Sequence, residues 1–511
     1  MSITRESDAI ALSGISKVPV AEDIEISSKN TAEDTDCDKN SAEVSQETRA
    51  YILERHGTLN LIPFPSADPE DPYNWPAWRK NLNLAMVAFH AMTATFVAAS
   101  IIPAFQQLSQ ELGKSLQATS YLASCQIIVI GAAVMFWKPI SARYGRRPVF
   151  ILSTAVACVC NIGAANCHSY GALIAVRVIG AFFLCPPAGI GSGVVHEMFF
   201  AHERGRKMGI WTLCATLGPP GGPFIFGFVA QHLGWRWIFW ICAIMNGAQA
   251  LCYLFFGSET LYMPSAVLSH KKSYTQSLFD FRRIDPEPLT GKDFYGPLFL
   301  LRYTSIIVPT ISYTISFAFV SVLMAIEIPQ LMGQKFELNA QQIGLQFAGM
   351  IIGCVIGEQI GGPMSDFFMN RRAKVLGARP PPAYRLWSCY LGILTVIAGI
   401  VIFMVQLQNA EPLHWNVTPI VGVAIASFGL QIMTTVLITY MVDSNPSHSS
   451  SIGVGVEFVR QTWGFIGPFW FPNMFASLGL PGSAGLMVGI VLLCSMLPVA
   501  ILQFRGLSVR K

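Results

Sequence analysis

Three glutamates and two arginines fall inside stretches of this chain that are otherwise almost free of charge: Glu327, Glu358, Glu457, Arg177 and Arg460. A charge at the centre of a bilayer costs about 2.5–3.5 kcal/mol on insertion scales, so each such residue asks for a role. A carboxylate desolvated in a cavity can carry a proton near neutrality. That is the chemistry of proton exchange, in which a proton and an organic solute compete for one group or for linked groups. The order of preference for this exchange is Glu457, Glu358, Glu327. Glu457 and Arg460 are three apart and share a helix face. Two readings of them stand: a self-neutralising pair, or a carboxylate that trades protons for substrate. Glu358 lies toward the cytosolic end of its stretch, and Glu327 near an outer end where it could simply reach water. His90 can also titrate, although a lone histidine is more often just hydrogen-bonded.

Gln126, Asn246, Gln249 and Gln431 are polar candidates for the wall of a solute cavity, with ordinary interhelical hydrogen bonds as the competing reading. Phe319 and Trp463 could line its apolar part, which suits bulky amphipathic solutes better than sugars or small ions. A second kind of chemistry is switching. Arg143, Arg146 and Arg147 surround Gly145, and Gly362, Asp366, Arg371 and Arg372 form a related cluster further on. Arginines can pair with carboxylates and helix C-termini in one state and release them in another. Gly209, Gly218, Gly222, Pro223 and Gly227 are concentrated in one apolar run, where small residues permit close helix approach and proline with glycine permits bending.

The elements that must position these residues are membrane helices. The chain has 511 residues, of which 52% are hydrophobic and only 13% charged. A soluble body of this size would carry roughly 25% charged residues. Apolar runs near 82–105, 119–140, 148–167, 171–195, 207–230, 236–257, 303–328, 342–364, 384–406, 416–441, 451–476 and 482–503 are each long enough to cross ~30 Å of hydrocarbon as a helix. Lipid leaves no partner for backbone groups, so each run is a helix. With a cytosolic N-terminus, 21 Lys and Arg fall on inside loops and three on outside loops. The positive-inside rule therefore puts both termini in the cytosol.

The expected organisation is a disordered cytosolic tail (1–79), a six-helix bundle (80–257), a basic cytosolic loop (258–302), a second six-helix bundle (303–504) and a short cytosolic end (505–511). The halves echo each other. Pro139-Ile140-Ser141-Ala142 matches Pro363-Met364-Ser365-Asp366, and Gly222-Pro223-Phe224 matches Gly467-Pro468-Phe469, each six spans apart. Such placement suits a duplicated two-bundle transporter.

Arg143-Tyr144-Gly145-Arg146-Arg147 resembles the loop signature of the major facilitator superfamily, roughly Gly-x-x-x-Asp-Arg-x-Gly-Arg-Arg. Lys138 stands where the first Gly belongs and Ala142 where the Asp belongs, so the Asp-based relay is expected to be absent or altered. The second copy keeps its acid, and Asp366 is expected to cap the start of span five in one conformation. The spacing from Gly209 to Gly227 resembles the motif that marks proton antiporters of the superfamily, with Phe226 replacing one glycine. The superfamily has an arginine in span four linked to proton movement, followed four residues later by Gly; here Gly180 comes three after Arg177. The segments Phe199 to Gly205, Gly234 to Trp240, Ser258 to Tyr262 and Asp71 to Pro76 resemble fungal members of the twelve-span drug:proton antiporter family. The resemblance covers about residues 68–505. It implies an all-α integral membrane protein of twelve helices in two six-helix bundles, exporting a drug, toxin or secondary metabolite against protons. Some relatives import amines or polyamines instead.

No nucleophile–base pair, dinucleotide fingerprint, nucleotide-binding domain or metal-spaced cluster is legible, so no enzyme activity, cofactor or metal is expected. Residues 1–60 lack the apolar core of a signal peptide. Asn416-Val417-Thr418 is formally a glycosylation sequon, with occupancy opposed by the following Pro419. The expected partners are a small organic substrate, protons and lipid, with no nucleic acid, and the chain is expected to act as a monomer. The default location is the plasma membrane, with the vacuolar membrane open. The rival readings are a proton-coupled symporter for organic cations and a non-transporting receptor.

Overall fold

The computed structural model describes residues 46–262, 283–285, 288–377, 380–445 and 448–508, and among these it is helical with no strand. Residues 46–60 belong to a unit of their own, built on the helix Gln46–His56. The rest is a second unit of long apolar helices: α1 (Ala77–Leu112), α2 (Leu116–Tyr144), α3 (Arg146–Ala165), α4 (Tyr170–Met198), α5 (Ala201–Leu233), α6 (Trp235–Phe256), α7 (Thr304–Lys335), α8 (Ala340–Leu376), α9 (Pro382–Asn409) and α10 (Thr418–Ser444). A further stretch, Ser451–Leu507, is helical over 57 residues. Run straight at 1.5 Å per residue it would measure about 85 Å, far beyond a ~30 Å core. It breaks at Gly479, whose φ of 66° and ψ of 175° are non-helical. The two arms, α11 (451–478) and α12 (480–507), complete twelve membrane-length helices in two sets of six.

Local chemistry explains where these helices start and stop. Ser115 and Ser169 cap α2 and α4 through the backbone N–H groups of Ala118 and Ala172. Asn339 and Gln342 form a reciprocal capping box at the start of α8, which ends at Gly377 with φ 65°. Pro186 starts a second segment of α4 after Cys185. Helix α7 contains two π-helical stretches, Ala318–Leu323 and Ile328–Met332.

Within the first half, α1 packs on α5, α3 on α4 and α6, and α2 on α4. Within the second, α10 packs on α8 and α9, and α7 on α10 and α11. The two most extensive contacts between the halves are α2 with α11 and α5 with α8. Advancing each member of the first pair by six, modulo twelve, yields the second pair, as a duplicated chain with pseudo-twofold symmetry requires.

The segment 62–76, placed in the tail by its sequence, is folded onto the helices. Ile62 C=O accepts the Ala201 N–H (2.8 Å), the Tyr73 hydroxyl donates to His196 C=O (2.5 Å), and the Asn74 amide donates to Ser66 C=O (2.7 Å) and Asp68 C=O (2.8 Å). Trp75 is buried beside these bonds, so polar and apolar contacts together hold the segment.

Candidate functional site

The arginine loop is built on a turn that needs glycine twice over. Gly145 ends α2 with φ 95°, and a Cβ there would lie 2.4 Å from Glu259 Oε2. The backbone N–H groups of Arg146 (2.8 Å) and Arg147 (3.0 Å), at the start of α3, donate to that carboxylate. A helix N-terminus is a natural seat for an anion. Glu259 also accepts the Leu261 N–H (3.0 Å). Burial raises its pKa above the ordinary glutamate range, while the three amides pull it back down.

The side chains then spread to three other elements. The Arg146 guanidinium pairs with Glu197 at the end of α4 (2.7 Å) and donates to Ser141 Oγ (2.6 Å), and Thr260 Oγ1 donates to the far oxygen of Glu197 (2.8 Å). Arg147 donates to Leu254 C=O near the C-terminus of α6 (2.8 Å). Arg143 forms an ion pair with Asp285, and its carbonyl accepts the N–H of Ile284 (2.8 Å). The acid missing at Ala142 is therefore replaced by Glu197, Glu259 and Asp285, carried by α4, the residues after α6 and the central connection.

The second cluster is organised by Arg385. Its guanidinium reaches Asp366 on α8 (2.7 Å), Asp443 on α10 (2.7 Å) and Ser365 Oγ (3.1 Å). Asp366 thus pairs with the start of α9 in this arrangement. Arg371 is exposed, Arg372 stacks over the Tyr384 ring (5.2 Å), and Gly362 faces open space.

The glycines of α5 divide between two neighbours. A Cβ on Gly218 would lie 2.6 Å from Met92 C=O, and one on Gly222 2.6 Å from Phe96 C=O, so both permit close packing on α1. Gly227 instead faces Gly344 of α8, whose Cα would lie 2.9 Å from an added Cβ; Gly344 in turn is 2.7 Å from the Pro223 carbonyl by the same measure. Gly209 has nothing within 4 Å. At the other joint, a Cβ on Gly131 of α2 would lie 2.6 Å from Gln461 Cβ of α11.

Among the charged and amide candidates inside the spans, three pairs form. Arg177 is buried on α4; it donates to Gln126 Oε1 (2.6 Å), Ala98 C=O (3.0 Å) and Leu122 C=O (3.2 Å). Glu457 pairs with Arg460 (2.5 Å) and accepts the Gln461 amide (2.7 Å), while Arg460 donates to Tyr313 Oη (2.8 Å) and lies over the Phe317 ring (4.4 Å). Glu358 accepts the Gln431 amide and is in no described ion pair. The other candidates stand apart. Gln249 donates to Met86 C=O (3.1 Å), Asn246 is buried beside it on α6, and Phe319 is buried against Trp470 and Phe471. Trp463 is exposed, and Glu327, expected to reach water at an outer end, is instead buried on α7, its Oε1 meeting no hydrogen-bond donor among the described residues. His90 lies between Ser153 Oγ (3.2 Å) and Tyr253 Oη (3.3 Å).

A family model described as Major Facilitator Superfamily matches residues 84–468. The chain belongs to that superfamily. It is therefore a multi-pass membrane transporter, in a family that is not enzymatic. It is similar to "Probable efflux pump mfs2" of Aspergillus flavus, 26% identical, with 74% of this chain and 90% of that protein covered. It is likewise similar to "MFS transporter cpaT" of Aspergillus oryzae, 26% identical over 87% and 90%. The crystal structure of the human organic anion transporter MFSD10 (TETRAN) shares the fold, with a TM-score of 0.56, 15% identity and 84% of this chain covered.

For this facilitator, reasoning from sequence missed Glu197, Asp285, Arg385 and Asp443 as members of the charge clusters. The Ser258-Glu259-Thr260 segment was noticed as a family mark, and its acid turns out to receive the start of α3. The available signal was an excess of arginines in the 143–147 loop over nearby carboxylates, which demands acids from elsewhere.

Proposed function

We propose that this facilitator exports a small organic compound, such as a drug, toxin or secondary metabolite, driven by protons moving the other way. The halves rock about the α2–α11 and α5–α8 joints, exposing one polar region to each side in turn. The observation that carries the reading is Glu358: a carboxylate within α8 bonded to the neutral amide of Gln431 and party to no described ion pair. Such a group can take a proton or a cationic solute, one at a time. Glu457 has Arg460 for that purpose, which moves Glu358 ahead of it as the exchanging group. The fungal efflux pump and transporter relatives support export.

The arginine clusters are the cytosolic gates in this reading, and the span-five glycines are the bending joint. The proposed division is a tail, a first six-helix bundle that carries the segment 62–76, a central cytosolic loop and a second six-helix bundle, and the plasma membrane is the proposed location. The test is reconstitution in vesicles with an imposed pH gradient and a panel of fluorescent organic compounds. Accumulation of a compound against outward-moving protons supports export by antiport. Movement of both in the same direction supports the rival reading, a symporter for organic cations, which the unneutralised Glu358 also accommodates.

A further inference from the structure

The α2–α11 joint carries side-chain hydrogen bonds at both of its ends. At the outer end, the Gln117 amide of α2 donates to Pro468 C=O of α11 (2.6 Å). In a regular helix that carbonyl takes the N–H four residues on, but the residue there is Pro472, which has none to give. A buried carbonyl left open in this way needs a donor from elsewhere. One turn inward, the Tyr121 ring stacks on Phe469, with centroids 4.7 Å apart and planes 20° from parallel. At the inner end, Lys138 of α2 donates to Ser451 Oγ in the first turn of α11 (2.9 Å). Between the two bonds the helices stay close: a Cβ on Gly464 of α11 would lie 3.4 Å from the Ile127 side chain.

The α5–α8 joint is made differently. Among the described residues, no hydrogen bond or ion pair runs from α5 to α8. Their glycine contacts are backbone on backbone and lie near the outer end, with Gly227 against Ala340 and Gly344, and Gly344 against Pro223 C=O. Nearer the cytosol the glycines turn away: Gly218 and Gly222 of α5 face α1, while Gly349, Gly353 and Gly357 of α8 face α10.

The duplication makes the two joints equivalent in position, but not in chemistry. Glycine on glycine gives close packing without a directional bond, so such helices can shear past one another. A motion that parts either end of α2–α11 must instead break a directed bond. At the outer end it would also strip the Pro468 carbonyl of its donor.

We propose that α2–α11 is an axle and α5–α8 a slip joint: Gln117 and Lys138 are positioning residues that keep both ends of α2–α11 together through the transport cycle, and the halves part along α5–α8. This rests on the alternating exposure read above and adds where the opening takes place.

The test is pulsed distance measurement on the full protein in nanodiscs across a pH series. Spin labels on Lys114 and Leu478 span the outer end of α2–α11, and labels on Tyr144 and Gly453 span its inner end. Labels on Leu233 with Leu345 and on Arg206 with Arg371 do the same for α5–α8. Both α2–α11 distances should stay fixed while both α5–α8 distances change. Changes across α2–α11 as large as those across α5–α8 would overturn the proposal and leave alternating exposure standing. Four fixed distances would sink the alternating-exposure reading and the axle with it. Gln117→Leu should raise the parted population at the outer pair by about two- to tenfold, the range for one hydrogen bond. Gln117→Glu keeps the shape and serves if the leucine variant does not fold. Its ionised carboxylate has no hydrogen to donate, so the outer pair should part at neutral pH and close again when acid restores one. An outer pair that stays closed in Gln117→Glu at neutral pH would overturn the role of Gln117.

Discussion

Arg146 and Arg385 occupy equivalent places in the two halves and share two contacts. Each donates to a serine on the preceding helix, Ser141 (2.6 Å) or Ser365 (3.1 Å). Each also pairs with a carboxylate near the end of the helix after its own, Glu197 or Asp443, both at 2.7 Å. The two serines are those of the repeated Pro-x-Ser segments. The duplication therefore extends from a short sequence echo to a shared charge geometry, although the acids differ in type.

Replacing either arginine with alanine should cost about 1.5–3 kcal/mol, the range for hydrogen bonds to charged groups. Lysine should restore little of it, because a point charge cannot reach serine and carboxylate together as the planar fork does. Asp366, whose side chain is 62% exposed, should matter far less than Asp443. Thermal unfolding in detergent of the Arg146→Ala, Arg146→Lys, Asp366→Asn and Asp443→Asn variants checks the ranking.

Glu259 makes stability depend on pH in a definite direction. Its carboxyl is held above the ordinary glutamate range by burial. A raised folded-state pKa adds stability below the unfolded value, and this is lost as pH rises through the folded one. Glu259→Gln imitates the protonated form, so the variant should gain on the wild type as pH climbs from the ordinary glutamate range through the raised value. Melting temperatures of both proteins across that interval measure the trend.

Much of the architecture was legible in the sequence because a membrane imposes a length and an apolarity on every crossing. The break at Gly479 was signalled by Leu480-Pro481-Gly482 between two apolar runs. Glu457 with Arg460 was legible because helix geometry puts residues three apart on one face. Glu197 and Asp285 were not, since each meets its arginine from far along the chain and only packing brings them together. Gln126 with Arg177 is the same case: two polar residues on different spans, each visible alone, with their pairing set by how α2 meets α4.

Glu457 and Arg460 should behave as a unit. Removing one partner of a poorly solvated pair costs about 3–5 kcal/mol, whereas removing both together is often close to neutral. Glu457→Gln and Arg460→Met should each destabilise the protein strongly, and the double variant should recover most of the loss. A double-mutant cycle on thermal stability checks this, and similar losses in all three variants would contradict it.

The glycines of α5 should separate into joint and bystander. Gly227→Ala places a Cβ 2.8 Å from the Ala340 carbonyl and 2.9 Å from Gly344 Cα, so it should push α5 from α8 and slow transport of a probe compound in vesicles. Gly209→Ala meets nothing within 4 Å and should transport at wild-type rates. A helix gains about 1 kcal/mol when an interior glycine becomes alanine, so Gly209→Ala should also melt slightly higher.

The central claim is that two helix bundles open on one side as they close on the other. Spin labels on Arg206 and Arg371 report the basic ends of α5 and α8, and labels on Leu233 and Leu345 report the opposite ends. Pulsed distance measurements on the two pairs, in nanodiscs across a pH series, should show one distance lengthening while the other shortens. Distances that stay fixed, or that change in the same direction at both ends, would contradict the account.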